Sequence, residues 1–184
     1  QQSNDEIRTI LLPESMTNIG SFAFADCNYL PSINIPSSVV TINDGAFENC
    51  RLLSTISFAN NGQLTTIGSW AFYNCHELKD VVIPEGVTSI GDFAFYGCGR
   101  LTSVTIPKSV TSISNAAFNI LKSLTATVHV GSPAHEWCKN NYMQWRCAVH
   151  TEVADAELSP TCVAEGKTAG KHCTVCGQVT VAQS

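Results

Sequence analysis

The sequence predicts an α/β repeat solenoid with a parallel β-sheet face, and three observations carry that prediction. A phrase of the type L-x-x-I-x-I-P, V-x-x-I-G-x-x-A-F-x-x-C returns about every 23 residues. Within each copy a period-two alternation of apolar residues gives way to a short turn-like segment. The 184-residue chain is 44% apolar and only 14% charged, so it buries a good deal and solvates its surface mainly with Ser, Thr and Asn.

Each copy opens with a strand, as in Leu101, Val104 and Ile106, whose apolar residues two apart face one side. Pro107 then ends it, as Pro13, Pro36 and Pro84 do elsewhere, because proline cannot donate a ladder hydrogen bond. The third copy instead carries Ala59-Asn60-Asn61-Gly62-Gln63, read as a loop bulging from one edge. A second extended piece follows, marked by Met16 and Ile19, Val39 and Ile42, Leu64 and Ile67, Val87 and Ile90, and Val110 and Ile113. The Ala-Phe-x-x-Cys spacing then places Phe and Cys on one face of a single α or 3₁₀ turn, and Gly20, Gly68 or Gly91 before it is expected to permit the bend. One such unit cannot bury enough apolar surface to order itself. Stacking buries both flanks of every unit and aligns equivalent strands as a parallel sheet.

The Phe-to-Cys segments run from Phe24 to Cys27, Phe47 to Cys50, Phe72 to Cys75 and Phe95 to Cys98, with a degenerate fifth copy in which Leu121 follows Phe118. Beyond it, Leu124 to Val130 reads as a last strand. Ser132 is placed to cap a helix that starts at Pro133 and runs to about residue 141, a C-terminal capping helix with Trp137 and Tyr142 available to cover the open end of the core. The chain begins with Gln1 and a strand (Ile7, Ile10, Leu12) that nothing precedes, so it reads as a processed or excised piece with an uncapped first face.

Residues 7–142 resemble the BspA-type leucine-rich repeats, surface modules of bacteria, prominently gut and oral anaerobes, and of some mucosal protists. The Ile-Pro turn, the Val-x-x-Ile-Gly and the Ala-Phe-x-x-Cys recur together in order. The resemblance implies a leucine-rich-repeat solenoid used for adhesion or protein recognition, a bacterial cell-surface or extracellular location, and no catalytic residues. The third copy departs by lacking the Pro and Gly phrase, and the fifth by its Leu121.

Cys27, Cys50, Cys75 and Cys98 fall in one column, with neighbouring Cα atoms about 5 Å apart, and are read as buried free thiols acting as small hydrophobes. Leu121 in the same slot shows that a plain apolar side chain serves there. Residues 1–145 are thus assigned to the solenoid with its lid, and 146–184 to a small Cys/His-rich tail module, which resembles short tail repeats of clostridial surface proteins. In the tail His150, Cys162, Cys173 and Cys176 are candidate ligands of a structural zinc, since Cys-x-x-Cys brings two thiolates to a tetrahedral ion. Disulfides, including one between Cys138 and Cys147, and free thiols are the alternatives.

No nucleophile-elbow or zincin signature occurs, so no enzyme and no cofactor are expected. With 15 acids against 10 bases and no Lys/Arg cluster, nucleic acid is excluded as a partner, and no apolar run approaches the length of about 18 residues that crosses a bilayer. Two binding surfaces remain. The strand face presents Thr9, Leu11, Ser32, Asn34, Thr55, Ser57, Asp80, Val82, Ser103 and Thr105; the other is an aromatic stripe of Phe22, Trp70 and Phe93, interrupted at Gly45 and Ala116 and otherwise explained by packing between turns. The expected function is a non-catalytic interaction or adhesion module whose partner is a protein, such as a host extracellular-matrix protein or another cell-surface protein. The alternative is a structural spacer that displays another domain.

Overall fold

The computed structural model describes residues 6–60, 62–118, 121 and 123–148, and three strands beyond them. In chain order these elements are β1 (Asn18–Ile19), β2 (Ser32–Ile35), β3 (Thr41–Ile42), β4 (Thr55–Phe58), β5 (Thr66–Ile67), β6 (Asp80–Val82), β7 (Ser89–Ile90), β8 (Ser103–Ile106), β9 (Ser112–Ile113), β10 (Thr125–Val128), α1 (Pro133–Asn140), β11 (Gln144–Cys147), β12 (Glu152–Ala154), β13 (Lys171–Cys173) and β14 (Val179–Val181).

Even-numbered strands through β10 are the first strand of each repeat and odd-numbered ones through β9 the second, and both kinds stack in parallel. The short strands form one continuous sheet, β1-β3-β5-β7-β9, in which Ile19, Ile42, Ile67, Ile90 and Ile113 are in register. The long strands form two sheets, β2-β4 and β6-β8-β10-β11, with the break between β4 and β6. That break sits where the third copy replaces the Pro-led turn. At Pro13, Pro36, Pro84 and Pro107 the proline carbonyl accepts from the residue three further on, whereas Gln63 donates to Ser37 of the preceding coil.

A third column of bonds runs along the Ala-Phe-x-x-Cys segments, and here the structure differs from the helical turn that spacing suggests. Alternate N–H groups make 3₁₀-like bonds three residues back (Ala23 to Gly20, Ala25 to Phe22, Cys27 to Phe24). The others donate to the next coil: Phe22 to Asp44, Phe24 to Ala46, Asp26 to Glu48. Because every second donor is used between coils, no helix forms there. Phe and Cys still face inward, so the core is the predicted one. Phe24, Phe47, Phe72, Phe95 and Phe118 stack ring on ring with centroids 5.0 to 5.4 Å apart, and Leu30, Leu53, Leu78, Leu101 and Leu124 are buried beside them.

Gly68 and Gly91 act differently from the expectation. Neither has positive φ. A Cβ on Gly68 would meet the carbonyl carbon of Asn43 at 2.8 Å, and one on Gly91 the amide of Ser69 at 2.6 Å, so glycine is required by the close approach of the preceding coil. Gly20 lies in the first coil and meets nothing within 4 Å.

The stack ends as predicted in a helix. Ser132 caps α1 by accepting from the His135 amide at 3.2 Å, and Pro133 is its first residue. Trp137 packs edge-on against Phe118, the last ring of the spine, at 5.9 Å. Tyr142 does not join it: at 96% exposure it points to solvent, and Trp145 of β11, edge-on to the buried His135 at 4.3 Å, packs against the core instead. In β11 the parallel ladder extends through Cys147, past the change of composition at residue 146. The strands β12, β13 and β14 pair antiparallel, unlike any strand of the solenoid.

Replacing Gly91 with alanine is expected to destabilise the chain by about 1–3 kcal/mol through overpacking against a backbone that cannot yield. The matched change at Gly20 should stay within about 0.5 kcal/mol. Urea midpoints of the two variants check the contrast, and equal midpoints would remove the close-approach explanation.

Candidate functional site

On the strand face, side chains that alternate away from the core line up across the ladder. Ser32 pairs with Thr55 and Asn34 with Ser57; Asp80 pairs with Ser103 and Val82 with Thr105. The rows continue to Thr125 and Thr127 on β10, then to Gln144 and Arg146 on β11, where Arg146 Nε donates to Thr127 at 2.8 Å. Thr125 and Thr127 extend the predicted surface by one coil, and the same alternation of polar and apolar residues marks them in the sequence. Thr9 and Leu11 are exposed but precede the first strand. The face is small and polar except at Val82, 62% exposed. There the gap between β4 and β6 opens a cleft of about 420 Å³ lined by Ile56, Phe58, Val82 and Pro84, among others.

The turn edge is built differently. Each of the first four coils holds two residues in the left-handed region, four positions apart. The second of these is Asp26, Asn49, Asn74 or Gly97, residue types that tolerate positive φ. The first is Phe22, Gly45, Trp70 or Phe93, with φ of 54° to 62°. For the three aromatic residues this conformation costs about 1–2 kcal/mol each relative to the right-handed region. The Phe22 ring lies over Gly45, where a Cβ would collide with it.

Trp70 stacks on Phe93 at 6.1 Å, Tyr73 stacks on Tyr96 at 5.4 Å, and Phe93 meets Tyr96 edge-on at 5.5 Å. The predicted stripe therefore packs between turns, yet Phe22 stays 55% and Trp70 40% exposed. Sequence reasoning missed Tyr73 and Tyr96; the signal was there in the repeated Ala-Phe-Tyr, which occurs only in these two coils.

The column thiols are free and buried, as is Cys138, and Cys147 is buried too. Each thiol of three successive coils donates to a Phe carbonyl: Cys50 to Phe24 at 3.2 Å, Cys75 to Phe47 at 3.4 Å and Cys98 to Phe72 at 3.2 Å. Burial pushes Cys50 and Cys98 up to about 12 and Cys138 to about 11, with the neighbouring Cys27 adding to the rise at Cys50. Burial likewise holds Cys75 well above the ordinary thiol value. These sulfurs are hydrogen-bond donors and poor nucleophiles. Of the proposed zinc ligands, His150, Cys162 and Cys176 lie outside the described residues, as does the side chain of Cys173. Among the described residues, no three His, Cys, Asp or Glu side chains converge as metal ligands, and no helix is long and apolar enough to cross a membrane.

A parallel stack of coils of about 23 residues, closed by a capping helix, defines a leucine-rich-repeat solenoid. The BspA-type leucine-rich-repeat model matches residues 2–125 in six copies, and the chain belongs to that family. It is similar to a leucine-rich cell surface protein of Faecalibacterium prausnitzii A2-165, at 39% identity over 68% of this chain and 32% of that one, with a TM-score of 0.62. A leucine-rich repeat protein of Bacteroides ovatus matches at 38% identity over 62% and 29%, with a TM-score of 0.55. The pneumococcal vaccine antigen PcpA shares the fold, at 22% identity over 76% and 40%, with a TM-score of 0.59. The chain thus spans about a third of the length of the first two. No curated protein matches it.

The raised thiol values fix a sign for stability against pH. In the unfolded chain a thiol ionises near about 8.5, while Cys50 and Cys98 in the fold stay neutral to about 12. Their contribution is therefore complete below the unfolded value and is lost as pH rises from about 8.5 toward 12, by up to about 1.4 kcal/mol per pH unit per thiol. Urea midpoints at pH 8 and pH 10.5 are expected to show the fall, and a Cys50→Ala, Cys98→Ala variant a smaller one. An equal fall in the variant would deny the thiols this role.

Proposed function

We propose that this chain is a non-catalytic protein-interaction or adhesion module of an exported bacterial surface protein, binding through its strand face. The observation that carries the reading is the outward surface made of two in-register sets, Ser32, Asn34, Thr55 and Ser57 on β2-β4 and Asp80, Val82, Ser103 and Thr105 on β6-β8. These side chains satisfy no core requirement and form a broad, hydrogen-bonding surface. Membership of a repeat family with a cell-surface relative supports the bacterial surface location. Such a surface holds few large anchors, so its affinity comes from many small contacts. The Ile56–Phe58–Val82 cleft is an apolar recess beside it, where a partner's aliphatic side chain would insert. A host extracellular-matrix protein or a protein on a neighbouring cell is the partner class that fits.

The test is saturable binding of the chain to immobilised extracellular-matrix and bacterial surface proteins, measured by biolayer interferometry. A variant with Asn34→Glu, Ser57→Glu and Thr105→Glu, all at outward positions, is expected to bind at least about tenfold more weakly. Absence of saturable binding across the panel, or full binding by the variant, would overturn the assignment; the first result would favour a spacer that displays another domain.

A further inference from the structure

The fourth coil is bare where its neighbours carry side chains. In the column that begins with Asp26, the second and third coils place Asn49 and Asn74, joined in a ladder in which Asn49 donates to Asp26 at 3.0 Å and Asn74 to Asn49 at 3.1 Å. The fourth coil ends the ladder with Gly97, since a Cβ there would collide with the Asn74 amide oxygen and the backbone is left-handed, φ 76°. Two residues on, the column of Asn28, Arg51 and His76 continues with Gly99. No such need applies at Gly99, whose added Cβ would meet nothing within 4 Å and whose φ is not positive. The two glycines leave a recess of about 490 Å³ between the third and fifth coils, within the roughly 300–1,000 Å³ of small-ligand sites.

The lining decides what the recess takes. Leu101 and Leu121 give it apolar walls. Tyr96 lies against Tyr73 on one face, so its opposite face is turned toward the fifth coil and the recess. Polar groups with unused capacity surround these surfaces. His76 Nδ1–H donates to the Gly97 carbonyl at 2.9 Å, which leaves Nε2 as an acceptor. Neither the Tyr96 and Ser123 hydroxyls nor the Asn74 amide oxygen has a hydrogen-bond partner among the described residues. No carboxylate, lysine or arginine is among the described residues that line the recess, and Glu77 and Arg100, which follow His76 and Gly99 in sequence, are paired with each other at 2.5 Å. An ion of either sign therefore finds no counter-charge in this lining, and a partner's aliphatic side chain would bury the polar groups unpaired. A neutral ring that is apolar on its face and hydroxylated around its rim matches both halves of the lining, with C–H groups against the tyrosine and leucines and hydroxyls against the donors and acceptors.

We propose that this recess is a binding site for a neutral hexose unit of a glycan, with Tyr96 as its platform and Asn74, His76 and Ser123 as its hydrogen-bonding rim. None of these residues belongs to the outward strand rows, so the site stands or falls independently of protein binding there.

The test is an amide NMR titration of the full chain with the methyl glycosides of glucose, galactose, mannose and N-acetylglucosamine, with N-acetyl-leucinamide as the apolar comparison. Expected is a saturable shift of the Gly97 and Gly99 amides with at least one glycoside, at a dissociation constant on the order of millimolar for so small a ligand, and none with the leucine amide. Gly99→Leu fills the recess from a position with free space around it; it should leave the urea midpoint unchanged and lower the affinity at least about tenfold. His76→Ala removes one acceptor without closing the recess and should weaken binding severalfold. The Asn34→Glu, Ser57→Glu, Thr105→Glu variant should bind the glycoside as the parent does. No saturable response to any of these glycosides, an equal response to the leucine amide, or full affinity in either the Gly99→Leu or the His76→Ala variant would each overturn the proposal.

Discussion

Everything in this solenoid depends on one constraint: successive coils must sit at the spacing of hydrogen-bonded strands, about 4.8 Å, at every point around the circuit. Three columns of inter-coil bonds hold that spacing, through the long strands, the short strands and the alternate amides of the turn segments. The Phe spine follows from it, since rings one coil apart can only lie parallel at 5.0 to 5.4 Å. So does the thiol column. Where coils come this close a buried Phe carbonyl needs little more than a sulfur to meet it, and Cys supplies a weak donor within an apolar volume. Glycine at positions 68 and 91 is the same constraint in steric form.

Redundancy among the columns explains how the third copy tolerates its altered loop. Between β4 and β6 the long-strand ladder is interrupted and Ile56 and Phe58 lose part of their cover. Across the same junction the short strands stay paired, Thr66 with Ser89 and Ile67 with Ile90, and the turn amides of Trp70, Phe72 and Asn74 still donate to the next coil. Two intact columns keep the coils aligned while the third opens. The interruption thereby creates an apolar recess beside the polar strand face without ending the stack.

What the sequence made legible, and what it hid, follows from whether a feature repeats and whether it is local. The strand columns, the inward Phe and Cys, the outward polar rows and the Ser132–Pro133 helix start could all be read, because each recurs at fixed spacing or rests on adjacent residues. The state of the Ala-Phe-x-x-Cys segment could not. A spacing of three is satisfied equally by a helical turn and by the observed alternation, and the choice is made by acceptors some 22 residues away, such as Ala46 for Phe24. Tyr142 misled for a related reason. It stands at the helix exit, φ 53°, where the chain turns into β11, and Trp145 three residues later takes the covering position. The zinc, disulfide and free-thiol alternatives in the tail rest mainly on residues outside the described set; Cys138, within it, is free.

In a repeat protein, function is best sought where copies differ, because stacking already explains where they agree. Ile19, Ile42, Ile67 and Ile90 are alike since every coil needs the same buried residue there. The turn-edge slot obeys no such rule. It holds Phe, Gly, Trp and Phe in succession, and the column three residues on holds Ala25, Glu48, Tyr73 and Tyr96. At Gly45 the stack itself sets the residue, because the Phe22 ring lies where a Cβ would be, while at Trp70 and Phe93 an aromatic side chain runs against the local backbone preference. The outward strand rows vary too, but among small residues that the exposed pleat accepts without strain. The two surfaces therefore differ in kind: the outward strand rows accept their side chains without strain, whereas the aromatic edge offsets a left-handed backbone by stacking ring on ring between coils, Trp70 on Phe93 and Tyr73 on Tyr96.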